Sequence, residues 1–287
     1  FIFSILEATV ALDFILLLLI IERRDKMQFQ QIRSATSIVT FGGKRFLIDP
    51  MLAPANTYPI VPEAPVCGKG NPTIELPCKP EDLFDVDAVI VTHWHFDHFD
   101  ETAMKLLPKE LPLYAQNEEE AQASRKIGFK DVRVLSEEGV DFEGIRLFKT
   151  PCDHGSGDLV NKRFYRVVQL TDQACGVIFK SDSESITFYL AGDTIYYPGV
   201  KETIEKYAPQ VIAVNAAGAQ APTGHALIMN QYDVWALMND FPNLSVIATH
   251  VEGVSHATVN REMLRAFAKD KGLTALAIPD DLESLTY

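Results

Sequence analysis

The chain is poor in cysteine, tryptophan and histidine, and short of positive charge. Four cysteines, two tryptophans and seven histidines occur in 287 residues. Cys67, Cys78, Cys152 and Cys175 form no CxxC pair. This excludes a disulfide framework and a structural zinc ribbon, and it fits a reducing compartment, the cytoplasm. Cys152, two residues before a histidine, is read as a small buried hydrophobe rather than a ligand. Lysine and arginine number 26 against 39 acidic residues, for a formal charge of −13. Such a surface repels polyanions, so a small molecule rather than nucleic acid is the expected partner. No short repeat or low-complexity tract is present. Apolar residues make up 47% of the chain, enough for one large buried core.

A long apolar run occurs at the start. Residues 1–21 are largely apolar and end in Phe14-Ile15-Leu16-Leu17-Leu18-Leu19-Ile20-Ile21, with Glu7 and Asp13 inside. A spanning helix needs about 20 apolar residues, and buried acids are costly there. There is no basic stretch before the run and no small-residue cleavage site after it, so it is a poor signal peptide. Residues 1–26 are read first as an extension foreign to the domain and second as a membrane anchor. The domain is expected to occupy 27–287, beginning at Met27.

What the chain does hold is concentrated. Thr92 to Asp100 read THWHFDHFD, with His93-x-His95-x-Asp97-His98 at the centre. Three of the seven histidines fall within these six positions, directly after the apolar run 86–91. Imidazole nitrogen and carboxylate oxygen are the usual ligands of zinc and similar divalent ions. If the run is extended, His93, His95 and Asp97 project to one side and His98 to another, which suits two neighbouring ions better than one.

Further candidates follow other strand-like runs. His154 comes after 144–149, Asp193 after 185–190 and His250 after 244–249. In α/β folds, sites gather at the carboxyl ends of strands.

The order HxHxDH, then His, then Gly-Asp, then a His closing a late strand resembles the metallo-β-lactamase superfamily of metal-dependent hydrolases, from about Met27 to the end. The segments Gln28–Arg33 and Lys44–Pro50 also resemble the branch with ascorbate-6-phosphate lactonase and N-acylphosphatidylethanolamine phospholipase D. The resemblance implies an α/β fold, a four-layer αββα sandwich. It implies that His93, His95 and His154 bind one ion, that Asp97, His98 and His250 bind a second, and that Asp193 bridges them. Family members with a redox di-iron site usually carry Glu where this chain has His95, so the resemblance implies hydrolysis. The expected cofactors are two divalent ions, Zn2+ first, with Mn2+ or Fe2+ as alternatives. The expected reaction is attack by a hydroxide held between the ions on an ester, lactone, amide or phosphodiester bond. An iron-dependent oxidoreductase on the same fold is the alternative, and a non-catalytic scaffold the third reading. A homo-oligomer is compatible with all three.

Around this centre the sequence predicts strands at 28–33, 36–40, 44–49, 131–135, 145–149, 164–169, 175–180, 186–191, 210–215 and 244–249. Helices are predicted at 101–107, 118–126, 200–207, 231–239 and from Val259 to a stop at Gly272. The proline-rich segment 51–81 reads as a wall or lid over the ions, or as a solvated excursion. Asp97 is expected to orient the nucleophile or move its proton, and His256 to act as leaving-group acid. Asp49, Thr194 and Tyr196 are candidates to support the site, and His225 reads as a substrate contact or a plain loop residue.

Overall fold

The computed structural model describes residues 26–62, 64, 68–168 and 170–287. The apolar stretch at 1–25 and Cys67 lie outside these residues. Among the described residues, no helix is long and apolar enough to cross a membrane.

Two seven-stranded sheets form the centre. The first contains β1 (Gln28–Arg33), β2 (Thr36–Phe41), β3 (Lys44–Ile48), β4 (Ala88–Val91), β5 (Leu113–Ala115) and β6 (Val132–Val134) in sequential order. The second contains β7 (Val140–Phe142), β8 (Ile145–Pro151), β9 (Cys175–Ser181), β10 (Phe188–Leu190), β11 (Val211–Asn215), β12 (Ser245–Thr249) and β13 (Leu276–Ala277). The last strand, β14 (Ser284–Thr286), returns to pair with β1.

Side-chain alternation along these strands builds the layers. Phe46 and Ile48 of β3 and Ala88 and Ile90 of β4 meet Val177 and Phe179 of β9 between the sheets. Phe179 packs on Phe41, Phe46 and Phe188 with ring centroids 5.4–5.7 Å apart. The intervening residues Leu47, Val89 and Val91 face outward onto α1 (Glu101–Leu106) and α2 (Glu118–Lys126). Ile212 and Val214 of β11 do the same on the other side. They lie against α4 (Pro198–Tyr207), α5 (Gln231–Asp240) and α6 (Arg261–Lys271). Sheets covered by helices on their outer faces give the αββα sandwich that the sequence resemblance implied.

One element is corrected. Residues 164–169 were expected to form a strand; residues 164–168 belong instead to α3 (Leu159–Val168). Asp158 supplies the reason. Its Oδ1 accepts from the backbone N–H of Val160 and Asn161, both at 2.8 Å, and starts the helix. Asn161 and Tyr165, four residues apart, then share the buried face. Short strands β5, β7, β13 and β14 were not anticipated, since two or three residues carry no readable alternation.

The described parts of the proline-rich segment are tied to the body of the fold. Arg33 is fully buried, and its guanidinium donates to the carbonyls of Met51 and Ala53 at 2.5 and 2.9 Å and to Ile74 at 3.2 Å. It therefore ties both ends of the segment to β1. Asn71 donates to Pro59 and accepts from the Ser255 N–H, and the Ser255 hydroxyl accepts from Val61 N–H. Burial lowers the Arg33 pKa to about 10, with Asp100 and Glu75 opposing, so it stays charged at neutral pH. Replacing Arg33 with Met removes the donor from two buried carbonyls and one partly buried one. The expected loss is about 3 kcal/mol, read as a lower urea midpoint at unchanged slope.

Candidate metal centre

Strand direction explains why distant residues converge. β10, β11 and β12 are mutually parallel, and β8 runs the same way because both it and β10 are antiparallel to β9. β3 and β4 are parallel in the other sheet. Their carboxyl ends deliver Asp49, His93, His154, Asp193 and His250 to one edge. At β10 the turn requires Gly192, with φ +70°, because a Cβ there would collide with the Cys175 carbonyl.

Three groups of donor atoms result: His93 with His95 and His154; His93 with His98 and Asp193; and Asp97 with His98 and His250. All seven side chains are buried. The simple alternation expected along the motif is corrected here. The chain turns at His95, whose carbonyl accepts from the N–H of His98 and Phe99. Asp97 therefore lies with His98 and His250, not with His93 and His95.

The outer ring nitrogens fix the inner ones. His95 Nε2 lies 2.8 Å from the Thr171 carbonyl, and His154 Nδ1 lies 3.0 Å from the Leu227 carbonyl. His98 Nδ1 lies 2.8 Å from Asp49 Oδ2. These partners only accept, so each outer nitrogen carries the proton. The Thr92 hydroxyl donates to Asp49, which leaves its oxygen to accept from His93 Nδ1 at 3.1 Å. Lone pairs consequently point inward. His93 Nε2 lies 3.0 Å from His95 Nδ1, which lies 3.3 Å from His154 Nε2, with no proton left to share. His98 Nε2 is buried without any hydrogen-bond partner. Buried lone pairs at this spacing repel unless a cation sits among them. The donor set thus fits a divalent ion at each of two adjacent positions.

Charge distribution agrees. Burial, reinforced by His98 and His95, holds His93 well below its ordinary pKa, and burial together with His154 lowers His95 to about 4. Both are neutral, as ligands must be. His98 departs from this pattern: burial opposes its charge, but Asp193 and Asp49 outweigh it and raise that imidazole, so a metal ion there would have to displace the proton. Burial alone would raise Asp97, yet His250 and His98 hold it well below the carboxylate range. Asp193 is likewise ionised against its burial, chiefly through His98 and His154. Its Oδ2 lies 3.3 Å from His98 Nε2 and 3.9 Å from His93 Nε2, between the two groups, while Asn215 donates to its Oδ1.

Three non-glycine residues around the centre hold left-handed backbone: Ser34, Asp49 and His250, at φ 53°, 43° and 53°. Such conformations cost about 1–3 kcal/mol each and persist where the surroundings impose them. Ser34 was not singled out by sequence, because a lone serine between two strands carries no signal. Its hydroxyl lies 3.0 Å from His250 Nδ1, and its carbonyl accepts from His250 N–H. Ser34→Ala should weaken metal affinity about tenfold with the fold intact, as read by competition against a chromogenic chelator.

The remaining candidates separate. Asp49 buttresses His98 and Thr92. The Thr194 hydroxyl accepts from the Asp153 N–H and so steadies the turn before His154. Tyr196 points elsewhere, donating to Asp240 and packing with the helices. His225 is exposed and pairs with Asp158 at 3.4 Å, so it is a loop residue. The Cys152 thiol donates to the Ala191 carbonyl at 3.1 Å, and burial pushes its pKa up, so it stays a thiol. His256 lines a cavity of about 80 Å3 together with His95, Asp97, His154 and Asp193. The other walls are mostly apolar: Val61, Phe96, Tyr165, Leu170, Ala221, Pro222 and Leu227, with Gln220.

The chain matches the beta-lactamase superfamily domain over residues 44–251. It is 40% identical over 263 residues to UPF0173 protein YddR of Bacillus subtilis, covering 91% of this chain and all of that one. A possible metal-dependent hydrolase from Veillonella parvula is 34% identical, with a TM-score of 0.86 over 91% of this chain and 100% of that one. The isothiocyanate hydrolase from Delia radicum gut bacteria is 33% identical, with a TM-score of 0.85 over 91% of this chain and 99% of that one. With a buried His/Asp donor cluster at the strand ends of an αββα sandwich, the chain belongs to the beta-lactamase superfamily and is a metal-dependent hydrolase of that fold.

Proposed function

We propose that this enzyme hydrolyses a small, neutral, apolar-tailed electrophile of the isothiocyanate kind. The observation that carries the reading is the cavity beside the donor cluster. Among the described residues no lysine or arginine lines it, and hydrocarbon dominates its walls. Beyond the ions themselves, an anionic phosphate ester would find no cationic side chain there among the described residues, whereas a neutral R–N=C=S group with an alkyl or aryl tail would lose little on desolvation. Similarity to the Delia radicum gut-bacterial enzyme supports the same chemistry.

His93, His95 and His154 would hold one ion, Asp97, His98 and His250 the other, and Asp193 would lie between them. Such ions would lower the pKa of a water held there and polarise the bond under attack. The chain's own residues then set direction. Asp97, ionised and facing the cavity, orients the attacking water by accepting a hydrogen bond from it, and both protons of that water end on the leaving nitrogen. The water oxygen bonds to the central carbon while one carbon–nitrogen electron pair moves onto nitrogen. Cleavage of the remaining carbon–nitrogen bond, with nitrogen protonated, releases R–NH2 and carbonyl sulfide. R–NCS plus one water equals these products.

His256 is placed to serve that nitrogen. Its Nδ1 is buried without a partner, and its ring faces the cavity. Burial lowers its pKa, with Asp97 opposing, so at neutral pH it is an uncharged N–H donor rather than an imidazolium. His256→Ala should slow substrates with basic leaving groups far more than activated esters, at unchanged metal content. His256→Gln, which keeps a donor, should recover part of the loss.

The deciding assay presents benzyl and allyl isothiocyanate beside lactones, thioesters and phosphodiesters. Release of amine and carbonyl sulfide in equal amounts is expected to exceed turnover of every other class. Faster phosphodiester cleavage with no amine would overturn the reading.

A further inference from the structure

A second cavity, of about 320 Å3, lies between α2 and the segment after α3. Its walls include Trp94, Glu119, Glu120, Leu170, Thr171 and Gln173, and no lysine or arginine. Glu120 is only 6% exposed. Its Oε1 accepts from Gln116 Nε2 at 2.8 Å and from Trp94 N–H at 3.2 Å, but among the described residues its Oε2 has no hydrogen-bond partner, and neither has the Trp94 indole N–H. We propose that this crevice binds a small primary alkylammonium ion, anchored by the Glu120 carboxylate and walled by the Trp94 ring.

The ligand class follows from what the crevice offers. A buried carboxylate with an idle oxygen favours a charged donor, and an ammonium supplies three N–H groups and a positive charge to add to that of nearby Lys149. Glu119 adds a second negative charge, and an indole favours a cation over its face. Leu170 gives the alkyl chain an apolar surface. An anion is disfavoured, because the start of α2 is already capped by Asn117 and followed by Glu118, Glu119 and Glu120. Burial raises the Glu120 pKa to about 7, with Gln116, the Trp94 N–H and Lys149 opposing.

The crevice also touches the metal centre. Trp94 separates His93 from His95, the Thr171 carbonyl holds His95 Nε2, and Leu170 lines both cavities. An amine here would press on the support of His95. Under the isothiocyanate reading the released amine is one source of such a cation, but binding itself does not depend on that reading.

The chain has two tryptophans, so Trp235→Phe leaves Trp94 as the sole indole reporter. Metal-loaded protein in this background is titrated with propylammonium chloride at pH 8 and constant ionic strength, with tetramethylammonium, which has no N–H, as control. A saturable fluorescence change with propylammonium alone is expected. Glu120→Gln should weaken binding at least about tenfold, and Ala123→Leu, which fills the crevice and keeps the carboxylate, should abolish it. The response should persist in His256→Ala protein. No saturable change, equal response to tetramethylammonium, or full binding in the Ala123→Leu protein would overturn the proposal. Loss of the response in His256→Ala would move the amine to the catalytic cavity and overturn it equally. Should Glu120→Gln fail to fold, Ala123→Leu decides alone.

Discussion

His93→Ala protein should hold about one divalent ion per chain or fewer, where the parent protein holds about two. The expectation is steep because His93 belongs to two of the three donor groups, its Nε2 lying 3.0 Å from His95 Nδ1 and 3.9 Å from Asp193 Oδ2. Removing it takes a ligand from one position and loosens the contact between the two. Elemental analysis after gel filtration reads the result directly. Zinc is the expected ion, since neutral imidazoles dominate the set. A His93→Ala protein that keeps two ions would show that these histidines pack against one another for structural reasons alone.

Asp97→Asn should lower kcat by about 10²–10⁴-fold while at least one ion is retained. Asn keeps the shape and loses both the charge and the proton acceptor. Asp97 is unlike its neighbours in this respect. It is held ionised by His250 and His98, and it lines the cavity where substrate enters. A ligand with no further task would lose metal and activity in parallel. A large fall in kcat with metal content preserved distinguishes the two roles, and unchanged turnover would remove Asp97 from the chemistry.

The centre was more legible in the sequence than the scaffold around it. HxHxDH is dense enough to be read alone, and His154, Asp193 and His250 each follow an apolar run long enough to recognise. Alternation within the motif misled, because it assumes extended backbone and the chain turns at His95. Likewise a strand was expected at 164–169, but the Asp158 cap and the burial of Asn161 and Tyr165 on one face made a helix. Support for the centre was the least legible. Ser34 and Thr171 act through a hydroxyl and a carbonyl brought from distant segments, and Arg33 works through three carbonyls of a loop. Carbonyl groups are the same in every residue, so no composition or spacing reports them. Glu120 is a similar case: its place in the acidic first turn of α2 looks like ordinary helix chemistry, and only the fold buries it behind the metal motif.

The most direct test strips the enzyme with a chelator and returns Zn2+ in measured equivalents while amine release from benzyl isothiocyanate is followed. The structure predicts no turnover in the stripped protein and a rise that completes only with the second equivalent. Full turnover without metal, or a plateau reached at one equivalent, would contradict a hydrolase built on paired ions.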